Sequence, residues 1–167
     1  MESRSIGFRV SPNEVFYAII ENKEDTYEFI SISSLKIPVA ISEPQKLSFI
    51  RNTISTMLLQ YNIDFAGIKL IEGNARSAVN NSLIFRFNLE GVLKELLSNG
   101  KTKNCFLGLA SNISAVLEIE KAKPVDMLES IINTEEYMTD YDKKITGEYK
   151  EAMLVAVAAL EEGLKNE

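Results

Sequence analysis

Residues 65–71, Phe-Ala-Gly-Ile-Lys-Leu-Ile, make a short run that is apolar apart from one lysine and stops on Glu72. A strand so apolar is buried on both faces, the mark of a central parallel strand. Such a strand needs helices above and below it, which makes the chain an α/β protein. Glu72 then lies outside the C-terminal end of a sheet strand, where open α/β folds usually place their chemistry.

The flanking segments supply the rest of such a sheet. Ser5 to Val10 reads as a first strand, followed by the turn signal Ser11-Pro12-Asn13. Val15 to Ile20 is a second strand, rich in β-branched and aromatic residues. Glu21 to Asp25 is a charged turn, and Tyr27 to Leu35 a third strand. Short connections make these three an antiparallel meander. After a connector over Lys36 to Ile41 comes a helix that Ser42 can cap, with Pro44 in its first turn and Gln45 three residues past the cap. Leu47, Ile50, Ile54, Leu58 and Tyr61 share one face of it, and Asn62 closes it. Ser82 to Ser98 is a second helix with Leu83, Phe87, Leu93, Leu96 and Leu97 apolar, stopped by Asn99-Gly100. Lys103 to Leu109 is a fifth strand. Ser111-Asn112 caps a short helical piece through Ile119, and Val125 to Met138 is a further helix after a charged break. The last helix runs from about Ile145 to Leu164. Its middle, Ala152 to Leu160, has no polar side chain, so it is expected to lie buried against the sheet and another helix.

Composition narrows the function. The 167 residues suggest one domain spanning 1–167. A net charge of −6 counts against a broad nucleic-acid surface, which needs clustered Lys and Arg. Lys69, Arg76, Arg86, Lys101 and Lys103 form either a small phosphate-binding patch near the strand ends or scattered surface charge, with Arg86 placed to pair with Glu90 at i+4. Gly73-Asn74 is not a phosphate loop, because the Gly-rich spacing and its Lys are missing. There is no histidine, which removes His-based triads and the common zinc sites. Cys105, the one cysteine, reads as a small buried hydrophobe, and a chain without a disulfide suits a reducing cytoplasm. No signal-peptide pattern opens the sequence, and the apolar run over Ala152–Leu160 is too short to span a bilayer. A cytoplasmic protein with no membrane partner is expected.

The order of three meander strands, helix, strand, helix, strand and helices is that of the RNase H-like fold: a five-stranded mixed sheet, three strands antiparallel then two parallel, flanked by helices. Right-handed crossovers place strand four beside strand one, with the final helix across both. Several residues resemble the RuvC-like branch of that superfamily. There a strand-one Asp, a Glu ending strand four and a D-x-x-D pair opening the last helix hold two Mg²⁺ ions for phosphodiester cleavage. Here Ile71-Glu72-Gly73 is similar to the strand-four element, and Glu90-Gly91-Val92-Leu93 to the helix after it. Glu148-Tyr-Lys-Glu151-Ala-Met-Leu-Val-Ala-Val157 is similar to the last helix, with glutamates for both aspartates. The chain resembles more closely still an uncharacterised family of small bacterial RNase H-like proteins. The shared residues are the Gly-x-(charged) first strand, Phe49 with Asn52-Thr53-Ile54, and the Glu-Ala opening of the last helix. That likeness implies no activity.

One position departs from the resolvases. Arg9 stands where they carry the strand-one Asp, and no acid lies between Ser3 and Asn13. Two-metal catalysis needs several oxygens converging on two ions, and magnesium demands near-octahedral geometry. A guanidinium there repels the cation. The expectation is that Arg9 substitutes for the metal by bridging Glu72 and either Glu148 or Glu151. The protein would then be a catalytically inactive binding or scaffold module without a cofactor, acting on a protein partner or as a homodimer, with nucleic acid disfavoured by the acidic charge. The alternative is an Mg²⁺- or Mn²⁺-dependent endonuclease with Glu72, Glu148 and Glu151 as catalytic metal ligands. A third reading uses the fold only as a frame, away from nucleic acid. Blander roles stand beside these. Glu72 could be a solvated or capping acid, and Glu148 and Glu151 could be first-turn acids suited to the helix dipole. Asp140 and Asp142 read as a solvated acidic loop, the alternative being site acids should the last helix begin earlier, and Phe85, Phe87 and Phe106 read as core rather than base-stacking residues.

Overall fold

The computed structural model of the chain describes residues 2–24, 26–73 and 78–167, so Asp25 of the charged turn, Asn74 of the Gly73-Asn74 turn and Arg76 lie outside the described residues. Strands β1 (Ser3–Val10), β2 (Glu14–Lys23) and β3 (Thr26–Lys36) form the expected meander. Helix α1 (Glu43–Gln60) leads to β4 (Phe65–Lys69), and α2 (Asn81–Ser98) to β5 (Phe106–Gly108). Then follow α3 (Ala110–Leu117), α4 (Pro124–Glu129) and α5 (Gly147–Lys165). The sheet order is β3-β2-β1-β4-β5, antiparallel through the first three strands and parallel for β1 with β4 and β4 with β5.

Alternation along the strands divides the core between the two faces. Ile6, Phe8 and Val10 pack with Ile50 and Ile54 of α1 and Leu89 and Leu93 of α2. Phe16, Ala18, Ile20 and Phe65 point the other way, onto Ala152–Leu160 of α5. That stretch of α5 is buried throughout, with the sheet beneath it and α3 and α4 packed on it, as its uninterrupted apolar sequence requires. The approach is close because Gly7 and Gly67 are partners across β1 and β4. A Cβ on Gly7 would stand 2.1 Å from the Ala152 carbonyl oxygen and 2.5 Å from the Ala156 nitrogen.

Several expectations need correction. The fifth strand is only Phe106–Gly108, because upstream of it Asn104 Oδ1 accepts the Ala66 N–H at 3.0 Å and a side chain stands in for the backbone ladder. The helix expected over Val125 to Met138 stops at Glu129, and only a 3₁₀ turn at Thr134–Glu136 follows. There the Asn133 side chain accepts the Glu135 N–H at 3.3 Å and Thr134 donates to Glu129 at 2.6 Å. Such local bonds compete with helix continuation. Helix α3 begins at Ala110 with Leu109 at its cap position, ahead of Ser111-Asn112. The charged turn is shorter than expected, since β2 continues to Lys23 and buries Glu21 between Arg4 and Lys23. Asp140 is not a merely solvated acid. Its carboxylate accepts from Ile32 N–H at 2.8 Å and Ser31 Oγ at 2.6 Å, which ties the loop to the edge of β3. Phe85 and Phe106 are buried as expected, but Phe87 is 47% exposed. Two residues along a helix is more than half a turn, so Phe87 cannot share the face of Phe85 and Leu89.

Candidate functional site: a cleft at the ends of β1 and β4

Arg9 and Lys69 each lie two residues beyond the paired glycines Gly7 and Gly67. Period-two alternation therefore sends both side chains to the α5 face, at the C-terminal ends of adjacent parallel strands. Arg9 Nε donates to Glu151 Oε2 at 2.8 Å, and Arg9 Nη1 to the Val10 carbonyl at 3.2 Å. Glu151 immediately precedes Ala152, so the close packing of α5 on Gly7 fixes where its carboxylate falls. Lys69 is 5% exposed; its Nζ donates to the Leu70 carbonyl at 2.9 Å and stands 3.5 Å from Glu72 Oε1. Glu72 Oε1 also accepts the Ala110 N–H at 2.5 Å, so the carboxylate sits at the positive end of α3.

Helix α2 adds a third cation, Arg86. Its Nε is buried and has no hydrogen-bond partner among the described residues. Burial first, then the charge of Arg9, pull its pKa below the usual arginine value, against the opposing pull of Glu90 and Glu151. The expected Arg86–Glu90 pair does not form. Glu90, 2% exposed, accepts the Ile71 N–H at 2.7 Å and has Lys94 Nζ at 4.0 Å. Burial raises the Glu90 pKa, and the Ile71 N–H and Lys94 only partly offset it. Arg9, Lys69, Glu72, Arg86 and Glu151, with Leu70, Ile71 and Pro124, line a cleft of about 220 Å³.

Of the three acids expected at the site, Glu72 and Glu151 line this cleft. Glu148 does not; its carboxylate accepts from the Thr146 hydroxyl at 3.2 Å, at the start of α5. Arg9 meets Glu151 but does not bridge to Glu72, which is held by the α3 N-terminus and Lys69. Among the described residues no set of three or more His, Cys, Asp or Glu comes together as a metal-holding group. Of the basic residues read as a patch, Lys69 and Arg86 converge here. Lys103 lies at the other end of β4, paired with Glu167 and 3.6 Å from Asp64. The Ala110 N–H and Pro124 carried no signal in the sequence; the glycine two residues before both Arg9 and Lys69 was the available sign that the two cations are neighbours.

The whole architecture has close counterparts among solved structures. Thermus thermophilus RuvC matches with a TM-score of 0.71 over 98% of this chain and 96% of that one, at 9% identity. The same enzyme in complex with a Holliday junction substrate matches with a TM-score of 0.68 at 8% identity, over 98% and 96%. The yeast mitochondrial Holliday junction resolvase Ydc2 gives 0.65 at 15% identity, over 98% of this chain and 81% of that one. The fold is RuvC-like, an RNase H-like fold. No family model and no curated protein sequence matches the chain, so the likeness to small bacterial proteins rests on the quoted residues alone. In this RuvC-like frame, the position that the resemblance assigns to a strand-one Asp is held by Arg9. No helix of the described residues is long and apolar enough to cross a membrane.

Proposed function

We propose that this chain is a catalytically inactive RuvC-like protein that binds rather than cuts. The observation that carries the reading is the Arg9–Glu151 pair, Nε to Oε2 at 2.8 Å, at the strand-one position where a metal-dependent relative needs an acid. A divalent cation needs several free oxygens converging on it. Glu151 is engaged by a guanidinium, Glu72 by a backbone N–H and Lys69, and Glu148 lies outside the cleft. These side chains fit a two-metal centre poorly, and three cations in the cleft would repel one. A binding role also agrees with the solved complex of Thermus thermophilus RuvC with a Holliday junction substrate, which shows the frame used for binding. With a net charge of −6, a protein partner or a second copy of the chain suits the broad surface better than an extended nucleic-acid track.

Calorimetric titration with Mg²⁺ and with Mn²⁺ tests the reading. A flat trace is expected, with branched DNA and RNA–DNA hybrids left uncut. The variant Arg9→Asp is expected to gain metal binding. Tight metal binding by the unaltered protein, with cleavage lost on Glu72→Gln, would establish the nuclease alternative instead.

A further inference from the structure

We propose that the cleft at the ends of β1 and β4 is an anion site that takes a phosphate group directly between Arg86 and Arg9, with Lys69 adding charge. This rests on the reading of the cleft as one without metal. The balance of charge comes first: the cleft is lined by three cations, Arg9, Lys69 and Arg86, and two carboxylates, Glu72 and Glu151, in a chain whose net charge is −6, while Glu90, which also pulls on Arg86, does not line the cleft and has Lys94 beside it. The hydrogen-bond inventory points the same way. Both carboxylates have partners, and Arg9 and Lys69 donate to them or to backbone carbonyls. Of the cleft's side-chain groups, Arg86 Nε is the one that is buried without a hydrogen-bond partner among the described residues.

A desolvated guanidinium N–H with no acceptor is costly, and a second guanidinium near enough to be felt adds repulsion. An anion between the two gives the Arg86 guanidinium an acceptor and offsets the repulsion, whereas a cation does neither and a neutral acceptor leaves the repulsion in place. Arginine forks match the oxygens of phosphate, and a phosphate group brings three strong acceptors and up to two charges to three cationic side chains. The size agrees: about 220 Å³ is below the roughly 300 Å³ at which pockets for whole small molecules begin, and suits a single charged group. A site for one phosphate also needs no broad basic surface.

The group could be free phosphate, the terminal phosphate of a nucleic-acid strand or a diester within it, and the experiment separates these. Inorganic phosphate is titrated calorimetrically into the full chain in EDTA at fixed ionic strength. Saturable binding is expected, with at least a tenfold loss in Arg86→Gln. Arg51→Gln, which removes an exposed pair with Glu95, is expected to bind as the unaltered protein does. Competition by a single-stranded oligonucleotide with a 5′-phosphate, but not without it, assigns a terminal phosphate; equal competition assigns the diester; no competition assigns the free ion. The unaltered protein should also melt higher in phosphate than in chloride, a readout that needs no variant. Unsaturable phosphate heats with no melting shift, or undiminished binding by Arg86→Gln, overturn the proposal. A parallel Mg²⁺ titration keeps the two readings apart. Phosphate binding that requires bound Mg²⁺ defeats the inactive-protein reading, whereas silence with both ligands defeats only the phosphate site.

Discussion

Gly7 has no room for a side chain. The nearest atoms to an added Cβ are backbone atoms of α5, at 2.1 and 2.5 Å, and backbone cannot rotate aside. Overpacking typically costs about 1–3 kcal/mol, and Gly7→Ala is expected at or above the top of that range, measured as a lowered urea midpoint. An unchanged midpoint would mean that α5 does not rest on β1 there. Glu90 carries a strain of a different kind. Its pKa is raised above the usual 4.5 by burial, so its charge is disfavoured in the folded state. Stability is therefore greatest, in this respect, below the unfolded pKa and is lost as pH rises through the folded value. Glu90→Gln keeps an acceptor for the Ile71 N–H without the charge. It is expected to melt above the unaltered protein at about pH 7, with the gap closing towards pH 4. A gap that widens in acid would show that the ionised carboxylate is the stabilising form.

Helix α2 positions Arg86, and its start depends on Asn80, whose Oδ1 accepts the Leu83 N–H at 2.9 Å. Asn80→Ala is expected to cost about 1 kcal/mol in chemical denaturation, the usual worth of an N-cap. At this scale the sequence was readable where local signals agreed. The Ser42/Gln45 box is present, with Gln45 Oε1 accepting from Ser42 N–H and Oγ at 2.9 Å each, and α1 follows as expected. The meander, β4 and α5 were equally legible from their apolar patterns. What was not legible depended on particular side-chain bonds that periodicity does not register. Asn104 shortens β5 by a side-chain bond to Ala66, and Asn133 and Thr134 end a helix that periodicity alone would continue. The site divides in the same way. Arg9 with Glu151 follows from strand register and the docking of α5. Glu72 was expected to meet Arg9, but it stands beside Lys69 and accepts from a backbone N–H with no side-chain signature, 38 residues away. Arg86 reaches the cleft only because Phe85, Leu89 and Leu93 set the rotation of α2.

For the molecule as a whole, one face of the sheet waits for the end of the chain. Phe16, Ala18, Ile20, Phe29 and Phe65 are covered by a cluster whose centre is α5. Without that helix they would form a contiguous apolar face, which a sheet cannot leave in water. The Arg9–Glu151 pair joins residues 142 positions apart, so the cleft closes only when α5 docks. Contacts this distant in sequence raise the loop entropy that must be overcome before they stabilise anything, and slow folding accordingly. Residues 1–146 alone are therefore expected to show no cooperative thermal transition by circular dichroism and to elute as aggregate. The full chain should unfold in a single transition, in which the fluorescence of its tyrosines, including Tyr149 edge-on to Phe16, changes together with the secondary-structure signal. A soluble, cooperatively melting 1–146 fragment would show that the α1/α2 face suffices to fold the sheet. The last helix would then be an addition to a formed domain rather than the element that completes it.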